Sequence, residues 1–288
     1  MRPATAAELA REENLQSWRA LRLIAPPDCP SQAAYLTYFD DAIAVMQTAA
    51  ALERVAFEVG QDSAAENIDY LEVRWAPRLH VRKGLNIRQV IEAVLAGLAA
   101  APLNAVAIVC AMRQDSPEDN VELAREAGRF AGQGVVGFDL AGDEVRYTAL
   151  RQRRAFDVAK AAGLHLTCHA GEAGEPANVE EALGLGIERI AHGVIGARDP
   201  RIVSRIRTEG VVLDMCPTAN WKCKAVTSIA EHPLPWLVRA GVRCTISTDS
   251  RTVADTTLSQ EFELAAGMGM TDQELERCNN TAYEAKFG

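Results

Sequence analysis

The sequence has no Cys-x-x-Cys, no Gly-x-Gly-x-x-Gly turn after an early strand and no apolar run of membrane-spanning length. Basic residues are also in deficit: 30 Lys and Arg stand against 39 Asp and Glu, for a net charge of -9. Each shortage excludes something. Without closely spaced cysteine pairs there is no zinc-ribbon framework, and the seven cysteines (29, 110, 168, 216, 223, 244 and 278) are an odd set without paired spacing. They predict reduced thiols and a cytoplasmic location. Without the glycine fingerprint, a dinucleotide fold loses its marker. The acidic balance argues against nucleic acid or an anionic membrane as the main partner. The N-terminus lacks the apolar core of a signal peptide, and nothing predicts a membrane span. Internal repeats, low-complexity tracts and linker-like stretches are missing too, so the sequence predicts one domain over residues 1–288.

What is present is a large apolar content. At 288 residues and 48% hydrophobic composition, the chain can bury roughly three quarters of its unfolded surface and needs no disulfide or metal merely to fold. Residues 1–67 read as helix. Leu9, Leu15, Trp18, Leu21 and Leu23 form a loose stripe, interrupted by Pro26, Pro27 and Pro30. A longer helical period then runs from Ser31 to about Ala65.

From residue 68 to 288 the rhythm changes to short β-branched runs alternating with Ala/Leu/Glu/Arg stretches. Strands are expected at Ile68–Trp75, Ala105–Met112, Gly134–Leu140, Leu164–His169, Glu188–Gly193, Gly210–Cys216 and Val242–Asp249. Helices are expected at Ile87–Ala100, Pro117–Ala131, Thr148–Ala162, Val179–Leu185, Pro200–Glu209 and Val226–Ala240, with Gly163 and Gly241 as stops. Such alternation means parallel strands with crossover helices, an α/β architecture. An open doubly wound sheet and a closed (β/α)8 barrel both fit; seven strands can be counted, one short of a closed barrel.

Polar residues sit where apolar strands end. His169 closes one strand and is followed by Ala170-Gly-Glu172; His192 closes the next; Asp249 closes the last. Asp139 and the turn Ala141-Gly-Asp-Glu144 close an earlier one. In a parallel barrel those ends share one rim, where active sites are built, and two imidazoles with two carboxylates suggest a divalent-metal hydrolase. Each residue also has an ordinary reading. A strand-end His is often a hydrogen-bonded structural residue. Asp249 could cap a following segment, and Glu172 could be a first-turn helix acid. Gly142 could be only a tight loop, and Cys216-Pro-Thr-Ala-Asn220 a strand terminator. His80, His165 and His232 carry no pattern and read as structural.

The string of motifs resembles the adenosine deaminase family in its bacterial branch. The matching segments run in family order: Tyr70-Leu-Glu-Val-Arg-Trp-Ala-Pro77, Gly134-Val-Val-Gly-Phe-Asp-Leu-Ala-Gly-Asp-Glu144 and Thr167-Cys-His-Ala-Gly-Glu172. Then follow Arg189-Ile-Ala-His-Gly193, Cys216–Asn220, Glu231-His-Pro-Leu-Pro235 and Ser247-Thr-Asp-Ser-Arg251. The resemblance covers essentially the whole chain. It implies a (β/α)8 TIM barrel of the metal-dependent hydrolase type and hydrolytic deamination of an aminopurine nucleoside, adenosine to inosine, by metal-activated water. It implies His169 and Asp249 as ligands of one divalent metal, zinc in the family. Glu172 would be the acid/base at the ring nitrogen, and His192 would orient the water. Gly142 and residue 250 would contact the purine. The expected partner is a small purine nucleoside or base; oligomeric state is not legible.

Two departures from the family pattern bear on these expectations. Many relatives place a second Asp after the metal Asp, to hold the purine's N7; here Ser250 stands there and offers a weaker bond than a carboxylate. This opens adenine or a modified adenosine as the substrate. Family members also open on a strand ending His-x-His-Leu-Asp-Gly-Ser, whereas this sequence opens Met1-Arg-Pro3. The expectation is therefore a barrel with its first strand missing, two metal ligands instead of the usual three or more, weak zinc binding and low activity. A start placed too far downstream would explain this, as would a shortened, metal-free purine-binding barrel.

Overall fold

The computed structural model describes residues 1–15 and 21–288; Trp18, in the N-terminal stripe, lies outside them. Among the described residues seven strands form: β1 Tyr70–Trp75, β2 Asn104–Met112, β3 Val135–Ala141, β4 His165–Ala170, β5 Arg189–His192, β6 Val212–Met215 and β7 Cys244–Ile246. Every expected strand is present, with ends shifted by one to a few residues. Each pairs in parallel with the next, in the order β1 to β7. A doubly wound sheet would reverse its order partway; this one never does. The architecture is the singly wound barrel arrangement, a curled sheet on which β1 and β7 are the two unpaired edges among the described residues.

The strands hold because both faces are covered. Ala107, Ile108, Val109 and Ala111 in β2 and Leu140 in β3 are fully buried, as expected for parallel strands under crossover helices. Phe138 of β3 meets Phe156 of the following helix edge to face, with centroids 5.6 Å apart. Two of the crossover helices start on side-chain caps: Asn86 and Gln89 form a reciprocal capping box before Ile87–Ala99, and Ser116 accepts from Asp119 N before Pro117–Gly128. Gly163 and Gly241 take φ of +83° and +80°, the left-handed turn expected of helix stops.

Several expected helices come out differently. The long period from Ser31 to Ala65 breaks into Gln32–Leu36, a 3-10 turn at Thr37–Phe39, Asp40–Val45 and Ala49–Ala65. The break has a cause. Gln47 is buried and turns its amide to the backbone, donating to Ile43 O and Leu79 O and accepting from Arg82 N. Thr48 then starts a new helix by accepting from Ala51 N. The expected helix Val226–Ala240 shrinks to Leu234–Arg239, because Pro233 holds His232 in the extended region. The segment Cys216–Asn220, read as a strand terminator, runs into a short helix, Pro217–Lys222. Arg251–Ala254, Leu258–Gly267 and Asp272–Glu284 are helical as well, and the sequence reading left them unassigned.

All seven cysteines are free and buried. Among the described residues no helix is long and apolar enough to cross a membrane.

Candidate active site

The barrel interior carries a ladder of charge instead of the usual apolar layers. Near the floor, Arg189 of β5 pairs with Glu72 of β1 and stands 3.5 Å from Asp214 of β6. Above them Arg74 of β1 pairs with Asp214 and reaches to 3.8 Å from Asp139 of β3. Burial works against the Asp214 carboxylate, but Arg189 and Arg74 outweigh it and hold the group below the usual carboxylate range. Phe287 closes the floor, stacked on His165 and lying 3.7 Å beneath the Arg189 guanidinium.

At the top of the ladder Asp139 Oδ2 lies 2.9 Å from His169 Nδ1, close but out of line for an ideal hydrogen bond. Burial disfavours the charged imidazole, yet the Asp139 carboxylate prevails and raises the His169 pKa. This contact occupies Nδ1 and leaves Nε2 as the nitrogen for a cation, the carboxylate–histidine pairing that orients metal ligands. Cys110 is also close, but burial pushes its thiol well up and keeps it neutral.

Beside His169, with ring centroids 5.2 Å apart, lies His192. Ligand atoms of Glu172, His192 and Asp249 fall within 4.8 Å of one another. The structure thus brings together all four residues expected at the centre, though in two adjoining clusters. Two of them occupy strained backbone: His192 has φ +76° and Asp249 has φ +53°. Left-handed conformations at non-glycine residues are uncommon and persist where the surroundings enforce them, often at functional sites. Asp249 is exposed on the rim, whereas Glu172 and His192 beside it are buried. Burial pushes the His192 imidazole down to about 4, helped by the neighbouring His169.

Glu172 is held from three sides. Its Oε2 accepts from Gln32 Nε2 at 2.6 Å, and its Oε1 stands 3.7 Å from His192 Nε2. Beneath it the backbone N–H groups of Gly171, Glu172 and Ala173 all donate to the buried Glu144 carboxylate, at 2.5, 3.2 and 3.2 Å. Only glycine fits at 171, where φ is +75° and a Cβ would stand 2.7 Å from Val179 Cγ2.

Gly142 follows β3 on the same rim with φ +100°, and a Cβ there would meet Gln114 Oε1 at 2.4 Å. Ser250 Oγ accepts from Val253 N at 3.3 Å and caps the helix Arg251–Ala254. The capping role that the sequence left open to Asp249 thus falls to Ser250.

His232, read as structural, bonds Asn220 from the segment read as a terminator, and Asn220 bonds His192. Sequence reasoning also missed Gln32, Glu144, Arg74, Arg189 and Asp214 as parts of the site's support. For the interior charges a signal existed. Glu72, Arg74 and Asp214 interrupt strands that are otherwise apolar, which parallel strands covered on both faces do not tolerate without partners.

Imidazole nitrogen and carboxylate oxygen are the donor types a zinc-like cation takes, and the described residues offer them in two groups, Cys110–Asp139–His169 and Glu172–His192–Asp249.

The adenosine deaminase family model matches residues 1–288. An adenosine deaminase of Enterococcus faecalis is 35% identical over 297 residues, covering all of this chain and 88% of that protein. An N6-mAMP deaminase of Arabidopsis superposes with a TM-score of 0.91 at 25% identity, covering all of this chain and 90% of that one. A zinc-bound amidohydrolase of Burkholderia ambifaria shares the fold, with a TM-score of 0.90 at 22% identity over all of this chain and 82% of that one.

Proposed function

The chain belongs to the adenosine deaminase family, and on that premise we propose that it hydrolyses adenosine to inosine and ammonia at the Glu172–His192–Asp249 cluster. The observation that carries this reading is the convergence of those three residues within 4.8 Å, from the ends of three different strands. His169 and Asp249 would supply two donors to one divalent cation, zinc by donor type, held weakly because a catalytic zinc site ordinarily takes three protein ligands. A bound cation of this kind supplies a water acidic enough to lose its proton near neutral pH.

The remaining work falls to side chains. Glu172 delivers a proton to the purine ring nitrogen as the carbon bearing the amino group becomes tetrahedral. His192 orients the attacking water. Asp139 holds the His169 ring, and the Glu144 nest fixes the loop that carries Glu172. Gly142 and Ser250 would border the purine. The substrate is then a small purine nucleoside, processed in the cytoplasm as part of purine metabolism.

A second reading keeps the chemistry and changes the substrate to adenine or an N6-methylated nucleotide. Ser250 and the Arabidopsis neighbour favour it. Product analysis with adenosine, adenine and N6-methyl-AMP separates the two. On the primary reading kcat/KM for adenosine exceeds the other two by about tenfold or more; the reverse order assigns the second reading.

Residue 250 provides a sharper probe. Asp is as good a helix cap as Ser, so Ser250→Asp leaves the fold's stability unchanged within about 0.5 kcal/mol. It should lower the preference for adenosine over 7-deazaadenosine, since N7 accepts and a hydroxyl can donate to it, whereas an ionised carboxylate can only accept. An unchanged ratio of kcat/KM values would show that residue 250 does not read N7.

A further inference from the structure

We infer that Asn220 and His232 act as positioning residues that lock His192 in its Nε2–H tautomer, so that His192 presents a proton donor, not a lone pair, to the reacting atoms. The effect on turnover rests on the deaminase reading; the tautomer does not.

The assignment starts from a group with no freedom. The backbone N–H of Leu234 can only donate, and it points at His232 Nδ1 from 3.3 Å, so that nitrogen holds a lone pair. Burial, with His192 nearby, pushes the His232 imidazole down to about 3, and the ring is neutral near pH 7. Its one proton therefore sits on Nε2, 3.1 Å from Asn220 Oδ1. An amide that accepts through oxygen on that side must turn its NH2 to the other, where His192 Nδ1 lies at 3.0 Å. An amide nitrogen donates and does not accept, so His192 Nδ1 holds the lone pair. The proton of His192 is left on Nε2, the nitrogen 3.7 Å from Glu172 Oε1.

The relay is buried throughout. Asn220 is fully enclosed, His232 nearly so, and the Asn220 backbone is pinned by bonds to Cys216 O and from Ala225 N. The same logic operates wherever the bond made by one ring nitrogen decides what the other can do. Here the outermost partner is a main-chain amide, so no side-chain rotation can reverse the sequence of donors.

Asn220→Asp tests the lock at nearly constant shape. A carboxylate accepts from both rings, and His192 Nδ1 then carries a proton. In protein labelled with 15N-histidine, the wild-type His192 signals should show a protonated Nε2 and an unprotonated Nδ1. The variant should show a protonated Nδ1, and kcat for adenosine should fall roughly 10²-fold or more with KM within a few-fold. His232→Gln can still donate to Asn220 and should retain the wild-type tautomer, which covers the case in which Asn220→Asp does not fold. A wild-type His192 protonated at Nδ1 would overturn the inference, as would a tautomer shared by wild type and Asn220→Asp. A wild-type chain with the stated tautomer but no turnover of any purine would count against the deaminase reading alone.

Discussion

Glu172→Gln is expected to lose roughly 10²-fold or more of kcat while metal content stays at the wild-type level. The amide keeps the shape and can still accept from Gln32, which now bonds Glu172 Oε2 at 2.6 Å. It can also rest on the loop that Glu144 holds through three backbone N–H groups. What it cannot do is carry a carboxylic proton to the ring nitrogen. Metal content by atomic spectroscopy and initial rates on adenosine are the two measurements. A rate within a few-fold of the parent would remove Glu172 from the proton transfer. A parallel loss of metal would make it a ligand, a role its place within 4.8 Å of His192 and Asp249 also permits.

Asp214→Asn is expected to cost about 3 kcal/mol of folding stability, although the residue touches nothing on the reacting side. Removing one member of a buried ion pair leaves the others desolvated and uncompensated, a penalty of about 3–5 kcal/mol. The low end applies because Arg189 keeps Glu72 and Arg74 keeps Asp139. The effect should also depend on pH. The Asp214 carboxyl is held below its usual range, so its contribution is complete above the unfolded value of about 3.9 and is lost as the pH falls below that. Urea midpoints for wild type and variant should therefore differ at pH 7 and converge on acidification. A pH-independent difference would mean that the amide costs stability through packing, not charge.

Strand positions were legible because parallel strands under helices need continuous apolar runs, and all seven emerge with ends shifted by only a few residues. Helices proved less legible where tertiary contacts decide them. Gln47 ends one helix by bonding Leu79 O, 32 residues away, and no local period encodes that. The capping signals Thr257-x-x-Gln260 and Thr271-x-x-Glu274 did mark two unassigned helices.

At the site, His169, Glu172, His192 and Asp249 were legible as strand-end polar residues. Their supports were not, because each acts across the barrel. Gln32 reaches Glu172 over 140 residues, and His232 reaches His192 through Asn220 on the next rim segment. Family resemblance named the residues expected at the centre, whereas the fold shows what surrounds them.

On the proposed function, one metal-dependent purine-deaminating centre lies at His169, Glu172, His192 and Asp249. Its most direct test is to strip the protein with a chelator, return zinc to saturation and follow adenosine by ultraviolet absorbance with ammonia release. The expected result is one inosine and one ammonia per adenosine, at a rate that rises with added zinc and vanishes in Asp249→Ala. Turnover that survives the chelator, or that is undiminished in Asp249→Ala, would contradict it.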